Sequence, residues 1–168
     1  MVTLEIKGKS VSIRPVSISD STDIFEGLRE GGLSAAVPGS DGVKTLDAAK
    51  AMVKGLIDRA ALGAEFHFAV CLNGRDTKVI GMCALYEFGG LDRSCRIGYW
   101  ISRPYRGRGY GREAVSLLSK IAFERLGISR LRASSYSSNE SSIRLLHSLG
   151  FIDEEQTGNE SHFSLSKS

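Results

Sequence analysis

Tyr99-Trp100-Ile101-Ser102-Arg103-Pro104-Tyr105-Arg106-Gly107-Arg108-Gly109-Tyr110-Gly111-Arg112 is the stretch on which the fold turns. It reads as a strand running into a turn with Gly at alternate positions, and then into a helix. Glycine admits φ > 0 and close backbone approach, while the first N–H groups of a helix lack partners of their own. The turn is therefore an anion nest. The helix dipole sets partial positive charge there, and Arg106, Arg108 and Arg112 add formal charge, so a pyrophosphate-sized dianion is its natural guest. A Walker loop would need Lys-Ser/Thr after its last Gly, which is missing. The dinucleotide fingerprint would need Gly where Arg112 stands and a parallel unit before it. An RNA-binding patch lacks the aromatic sheet signature. A Gly-rich connection with solvated arginines is the remaining competitor.

Outward from this turn the chain alternates strand and helix signals. Residues 65–73, 78–88 and 94–102 are three strand-type runs separated by Asn73-Gly74-Arg75-Asp76 and Gly89-Gly90-Leu91-Asp92, an antiparallel meander. The middle run is apolar on both parities and predicts cover on both faces. Before it come an opening hairpin around Gly8 (strands 2–6 and 10–15) and a helix from Ser19 or Asp20 to Arg29, stopped by Gly31-Gly32. A loop from Leu33 to Lys44, with Pro38, Gly39 and Gly42, leads to a helix over 47–62. After the turn, a helix runs to about Leu126 with Gly127 beyond its end; then come a strand at 131–136, a helix from Asn139 to Leu149, and two short strands. The order is α+β, a sheet covered by helices, within a single domain over 1–168.

The 168 residues suit one domain, and 42% apolar with 24% charged residues excludes a disordered tail or a membrane protein. The net charge of +3 is unevenly distributed. Six arginines (93, 96, 103, 106, 108, 112) and no acid fall between Arg93 and Arg112, leaving 16 basic against 19 acidic residues elsewhere, a balance of −3. Cys71, Cys83 and Cys95 show no zinc spacing and read as buried thiols of a reducing compartment. With no signal-peptide core at the N-terminus, the expected location is the cytoplasm.

Arg106-Gly107-Arg108-Gly109-Tyr110-Gly111 matches the [RQ]-x-x-G-x-[GA] acyl-CoA signature of the GNAT N-acetyltransferase superfamily, and residues 97–111 resemble its RimJ/RimL-type branch. Asn139-Glu140-Ser141-Ser142, continuing to Leu149-Gly150-Phe151, resembles a second family segment. The resemblance implies a mixed, mostly antiparallel twisted sheet of six to seven strands with about four helices. It also implies a V-shaped splay between the strands near 95–101 and 130–136. Pantetheine of acetyl-CoA would lie in the splay on main-chain groups of Tyr99, Trp100 and Ile101, with the pyrophosphate on the amides of Gly107, Arg108, Gly109, Tyr110, Gly111 and Arg112. Asn139 would reach the pantetheine arm or serve as an ordinary N-cap, and Ser142 would join it or stabilise the helix start.

The implied reaction moves an acetyl group from a thioester to a primary amine, with a protein N-terminal α-amine as first expectation and a polyamine, amino acid or antibiotic as second. An α-amine, with a pKa of ~7.7 to 8.0, loses its proton more easily than a lysine near ~10.4. The Ile101 N–H is the candidate oxyanion donor. Many relatives carry Glu where Arg96 stands, and the tyrosine that acts as acid in other branches falls at Leu146. Glu87 is the substitute catalytic candidate, as a base acting through water; Tyr136, His147 and Ser142 are weaker ones, and His67 and His162 read as packed or exposed. Arg96 in the acceptor groove would favour an acceptor carrying a carboxylate or phosphate. The missing Glu also leaves open a non-catalytic acyl-CoA-binding module. No metal, nucleic acid or membrane partner is expected, a homodimer is compatible with the fold, and residues 19–63 carry no acceptor motif.

Overall fold

The computed structural model describes residues 3–30, 40, 42–74 and 77–168. The Gly31-Gly32 stop, Pro38, Gly39 and the Arg75-Asp76 part of the first meander turn lie outside them. Eight strands form one sheet: β1 (Ile6–Lys7), β2 (Val11–Pro15), β3 (Phe66–Leu72), β4 (Val79–Tyr86), β5 (Ser94–Ile101), β6 (Arg130–Tyr136), β7 (Ile152–Asp153) and β8 (Glu160–Ser166). The helices are α1 (Ser21–Glu30), α2 (Leu46–Ala61), α3 (Tyr110–Lys120) and α4 (Glu140–Ser148). The sheet order is β1-β2-β3-β4-β5-β6-β8-β7. The count exceeds the six to seven that the resemblance implies and equals the number of strand runs in the sequence, with β1 and β7 reduced to two-residue edge strands.

Every neighbouring pair is antiparallel except β5 and β6. Those two run parallel and touch in register only at Ser94–Arg130, Cys95–Leu131 and Arg96–Arg132. Beyond Arg96, β5 stays with β4 as far as Ile101, while β6 from Ala133 to Tyr136 stays with β8. The two strands therefore part after one contact of three residues, and the cleft between them is the V.

Alternation in β4 and β5 sends apolar side chains to both faces, so each face needs a cover. On one face Ile80, Leu85, Cys95, Ile97 and Ile101 pack with Val115, Leu118 and Ile121 of the α3 region and Leu146 of α4. On the other, Val79, Met82 and Trp100 pack with Ile24 of α1 and Val53 and Leu56 of α2. Gly27 brings α1 onto this face: a Cβ there would collide with Ser102 Oγ and the Trp100 ring. A 3-10 turn over Ile18–Asp20 leads into α1, so the cap lies two residues before Ser19. Ser17 is the cap, its amide donating to Asp20 Oδ2 at 2.8 Å, and Arg14 holds the same carboxylate through two bonds at 2.7 and 2.8 Å. Burial raises the Asp20 pKa, but the Arg14 and Ser17 hydrogen bonds and the Arg14 charge outweigh it and hold the carboxyl below its usual range.

Candidate active site at the splay

The ladder between β4 and β5 decides which main-chain groups reach the cleft. Ser102 N–H donates to Ile80 O at 2.7 Å, and a Cβ on Gly81 would run into the Trp100 carbonyl oxygen. Main-chain groups alternate sides along an antiparallel strand. Gly98, Trp100 and Ser102 therefore face β4, whereas Ile97, Tyr99 and Ile101 turn theirs to the splay. Trp100, named with its neighbours as a main-chain partner for pantetheine, thus spends its amide and carbonyl on β4, and its indole is buried against α1 and α2. Tyr99 and Ile101 keep the orientation a strand-like ligand needs.

At the turn, Gly107 and Gly109 adopt φ of +74° and +82°, the left-handed region that glycine enters without a Cβ penalty. Gly109 is the N-cap of α3, and Glu113 N–H closes the first turn on its carbonyl at 3.1 Å. The amides of Gly107 to Arg112 meet no acceptor among the described residues. Gly111 serves packing, since a Cβ there would touch Leu145 and Ile101 at 3.3 and 3.5 Å. Glu113 fixes the start of α3 to the β1–β2 hairpin by accepting from Ser10 N–H at 2.8 Å.

The three arginines of the turn are not equivalent. Arg106 Nε donates to Ile101 O at 2.8 Å, so this side chain bridges the turn and the cleft edge. Arg112 donates to Ser148 Oγ at 3.0 Å and Ser148 O at 3.2 Å, capping the end of α4. Arg108 forms no hydrogen bond or ion pair among the described residues and is exposed. Arg106 and Arg112 are thus engaged by the frame around the turn, and Arg108 is not.

Asn139 is the N-cap of α4: its Oδ1 accepts from Ser142 N–H at 3.2 Å and Ser141 Oγ at 3.1 Å. Ser142 Oγ lies 2.7 Å from Tyr99 Oη, a link from α4 to β5. Burial raises the Tyr99 pKa, with the Ser142 bond acting the other way. Leu146, at the position where other branches carry an acid, is a core residue.

The opposite face of the splay is built from side chains. Register places Tyr86, Arg96 and Arg132 in one row and His67, Ala84 and Gly98 in the next, with Ser134 and His162 across the gap. The Tyr86 ring lies against Gly98, where a Cβ would be 3.4 Å from it. Arg96 Nη2 donates to Ser134 Oγ, and Arg96 Nη1 reaches Glu87 at 3.5 Å. Glu87 is 60% exposed and engaged with Arg96, and it takes φ +49°, unusual for a non-glycine. Tyr136 is half exposed on β6 opposite Glu160. His147 points outward to Asp153 at 2.8 Å. His67 is held by Glu65 at 2.8 Å, which Arg59 of α2 also holds at 2.9 Å; burial lowers its pKa, opposed by Glu65, so the imidazole is neutral near pH 7. Tyr86, Arg132 and Ser134 carried no motif; the register of β4 on β5 brings Tyr86 to Arg96, and that of β5 on β6 brings Arg132 and, two residues on, Ser134.

The three cysteines are free and buried, with burial raising each thiol pKa, Cys95 to about 12. No group of His, Cys, Asp and Glu among the described residues is arranged to hold a metal, and no described helix is long and apolar enough to cross a membrane.

A sheet opened between two parallel strands, with a strand-to-helix anion nest at its edge, defines an acyltransferase fold. Residues 10–152 match the family model described as an acetyltransferase (GNAT) domain, and the chain belongs to that family. It is an N-acetyltransferase. The Bacillus subtilis protein named "Probable N-acetyltransferase YjcK" is 27% identical over 160 residues, 89% of this chain and 84% of that one. Among solved structures, RimL, a ribosomal L7/L12 alpha-N-protein acetyltransferase in complex with coenzyme A, superposes with a TM-score of 0.86. Its identity is 14%, covering 96% of this chain and 97% of that one. The ribosomal-protein-S5-alanine acetyltransferase of Vibrio fischeri gives 0.82 at 22% identity, with 97% and 95% covered. At such identities the likeness speaks for the fold, which is RimJ/RimL-like.

Proposed function

We propose that this enzyme transfers the acetyl group of acetyl-CoA directly to a primary amine, with a protein N-terminal α-amine as the foremost acceptor class. The reading rests above all on the row of unpartnered amides from Gly107 to Arg112, at the end of a cleft edge where Tyr99 and Ile101 offer main-chain groups. These residues fit a pyrophosphate followed by an extended, strand-like arm. Acetyl-CoA supplies the activated acyl thioester. The chain holds its arm along β5, with Asn139 near its path, and offers the Ile101 N–H to the carbonyl oxygen, while Arg108 adds charge at the pyrophosphate.

The amine attacks only as the free base; the C–N bond forms as the C–S bond breaks, coenzyme A leaves with the electron pair as a thiolate that solvent protonates, and the amine's proton passes to solvent or to a nearby base. Glu87 and Tyr136 flank the acceptor face as groups that could relay it through water. An α-amine needs little help, because a useful fraction is already neutral near pH 8. The acceptor assignment follows the RimL and ribosomal-protein neighbours, whose names describe protein substrates.

The test is thiol release from acetyl-CoA with a panel of peptides and small amines, beside calorimetry of coenzyme A. Saturable binding with amine-dependent release is the expected result. Coenzyme A binding without release by any amine would leave a silent binder; RNA binding in place of coenzyme A binding would overturn the reading.

A further inference from the structure

A cavity of about 410 Å³ opens on the β5–β6–β8 face at the closed end of the splay, lined in part by Arg96, Arg130, Arg132 and His162. Arg96 and Arg132 stand directly opposite each other on parallel strands, with Cα atoms ~4.8 Å apart in such a pair, and both project to this face. Like charges so placed repel and add nothing to folding. Arg132 has no hydrogen bond or ion pair among the described residues, and the one carboxylate near Arg96, Glu87, is mostly in solvent. Of the three buried side-chain donors left without an acceptor among the described residues, two are Arg96 Nε and Arg130 Nε.

The acids of the same cavity lower its net charge, and Asp92 lies close enough to Arg132 to feel its charge, but none of them bonds Arg96 or Arg132. Asp92 is taken by the Ser94 amide and hydroxyl at 3.2 and 2.9 Å, and Glu154 by Arg130 and Ser164. Glu155 is exposed at the rim. The guanidinium of Arg96 leans along the sheet to Ser134, the register position at which β6 has left β5. A ligand group held there sits beside the splay.

We infer that Arg96 and Arg132 form an anion subsite of the acceptor site, and that the acceptor is a primary amine carrying a carboxylate or phosphate a few bonds from its nitrogen. This rests on the acetyl-transfer reading of the splay. Two guanidinium forks converging on one anion turn their mutual repulsion into charge-assisted hydrogen bonding and set which amine enters.

The experiment compares matched amines that differ only in the anion: phosphoethanolamine with ethanolamine, glycine with glycinamide, and a tripeptide with Asp or Asn at its second residue. In wild type the charged member of at least one pair should have a kcat/KM higher by at least about tenfold. Arg132→Gln should abolish that advantage, and Arg132→Lys should restore part of it. A second readout needs no turnover: Arg Nε–Hε NMR signals of the full chain should shift with N-acetylglycine and not with N-acetylglycinamide, and the shift should be lost in Arg132→Gln. Preference among the small amines or among the tripeptides supports the subsite and identifies the source of the anion. Equal rates within every pair, or equal NMR responses, overturn the inference while leaving acetyl transfer standing. Failure to bind acetyl-CoA overturns acetyl transfer, and the NMR titration still decides the anion site.

Discussion

On the α3 side of the splay the groups turned toward the cleft are main-chain ones: the amides of Gly107 to Arg112 and the β5 edge at Tyr99 and Ile101, where Arg106 already takes the Ile101 carbonyl. On the opposite face they are side chains: Tyr86, Arg96, Arg132, Ser134 and His162. The first set is fixed by glycine conformation, a helix start and ladder alternation, so side-chain changes that keep the backbone keep the site. The second set depends on the registers of β4 on β5, of β5 on β6 and of β6 on β8, which bring these side chains to one face. Main-chain recognition suits a ligand whose own shape is fixed, and side-chain recognition suits one that selection can change residue by residue.

Gly81→Ala should damage both sides together, because β4 carries β5 along the open arm of the splay, where Gly81 pairs with Ile101. Its Cβ would be driven into the Trp100 carbonyl, and only strand separation relieves it, at a cost of about 3 kcal/mol or more. A fall in the denaturation midpoint with loss of coenzyme A binding is expected; an unchanged midpoint would mean that the β4–β5 ladder is not the common support. Gly109→Val should separate the sides. The position is open, with nothing near a Cβ, but φ of +82° is costly for a branched residue, ~1 to 2 kcal/mol or more. Coenzyme A affinity should drop at least about tenfold, while the anion-dependent NMR shifts of the acceptor face persist. Loss of both would show that the two faces are not independent.

Acid should loosen the acceptor side through α1. Asp20 has a carboxyl held below its usual range by Arg14 and Ser17 despite burial, so its contribution to stability is present above the unfolded value of ~3.9 and is lost as pH falls through the lower folded value. Hydrogen exchange in α1 should accelerate below about pH 4, more in the wild type than in Asp20→Asn, which has already lost the pair. Equal acceleration in both would detach the effect from this carboxylate.

The same contrast explains what could be read from the sequence. The nest was legible because glycine at 107 and 109 has a backbone reason to be there and the helix start is local. The meander was legible from its turns and its apolar middle strand. What the arginines do was only partly legible: Arg112 sits four residues from Arg108, yet it bonds the end of a helix that closes at Ser148. Trp100 lies between two residues that face the cleft and itself faces β4, a parity that only hydrogen bonding across the ladder reveals. Arg132 carried no motif, and its place opposite Arg96 follows from a register between strands separated by α3.

Arg108 and Arg112 provide the finest division of the nest, and the smallest effects. Arg108→Gln removes a charge that the fold does not use, so stability should hold while coenzyme A affinity falls a fewfold, with the difference from wild type shrinking as salt rises. Arg112→Gln removes two bonds to Ser148 at the C-terminal end of α4, where a cation favours the helix dipole by ~0.3 to 1 kcal/mol. Stability should fall by that amount, and coenzyme A affinity should change less than in Arg108→Gln, because the Arg112 amide stays in the nest whatever its side chain does. The reverse order of the two affinities would mean that Arg112 leaves Ser148 when the dianion arrives, and that α4 gives up its cap to bind it.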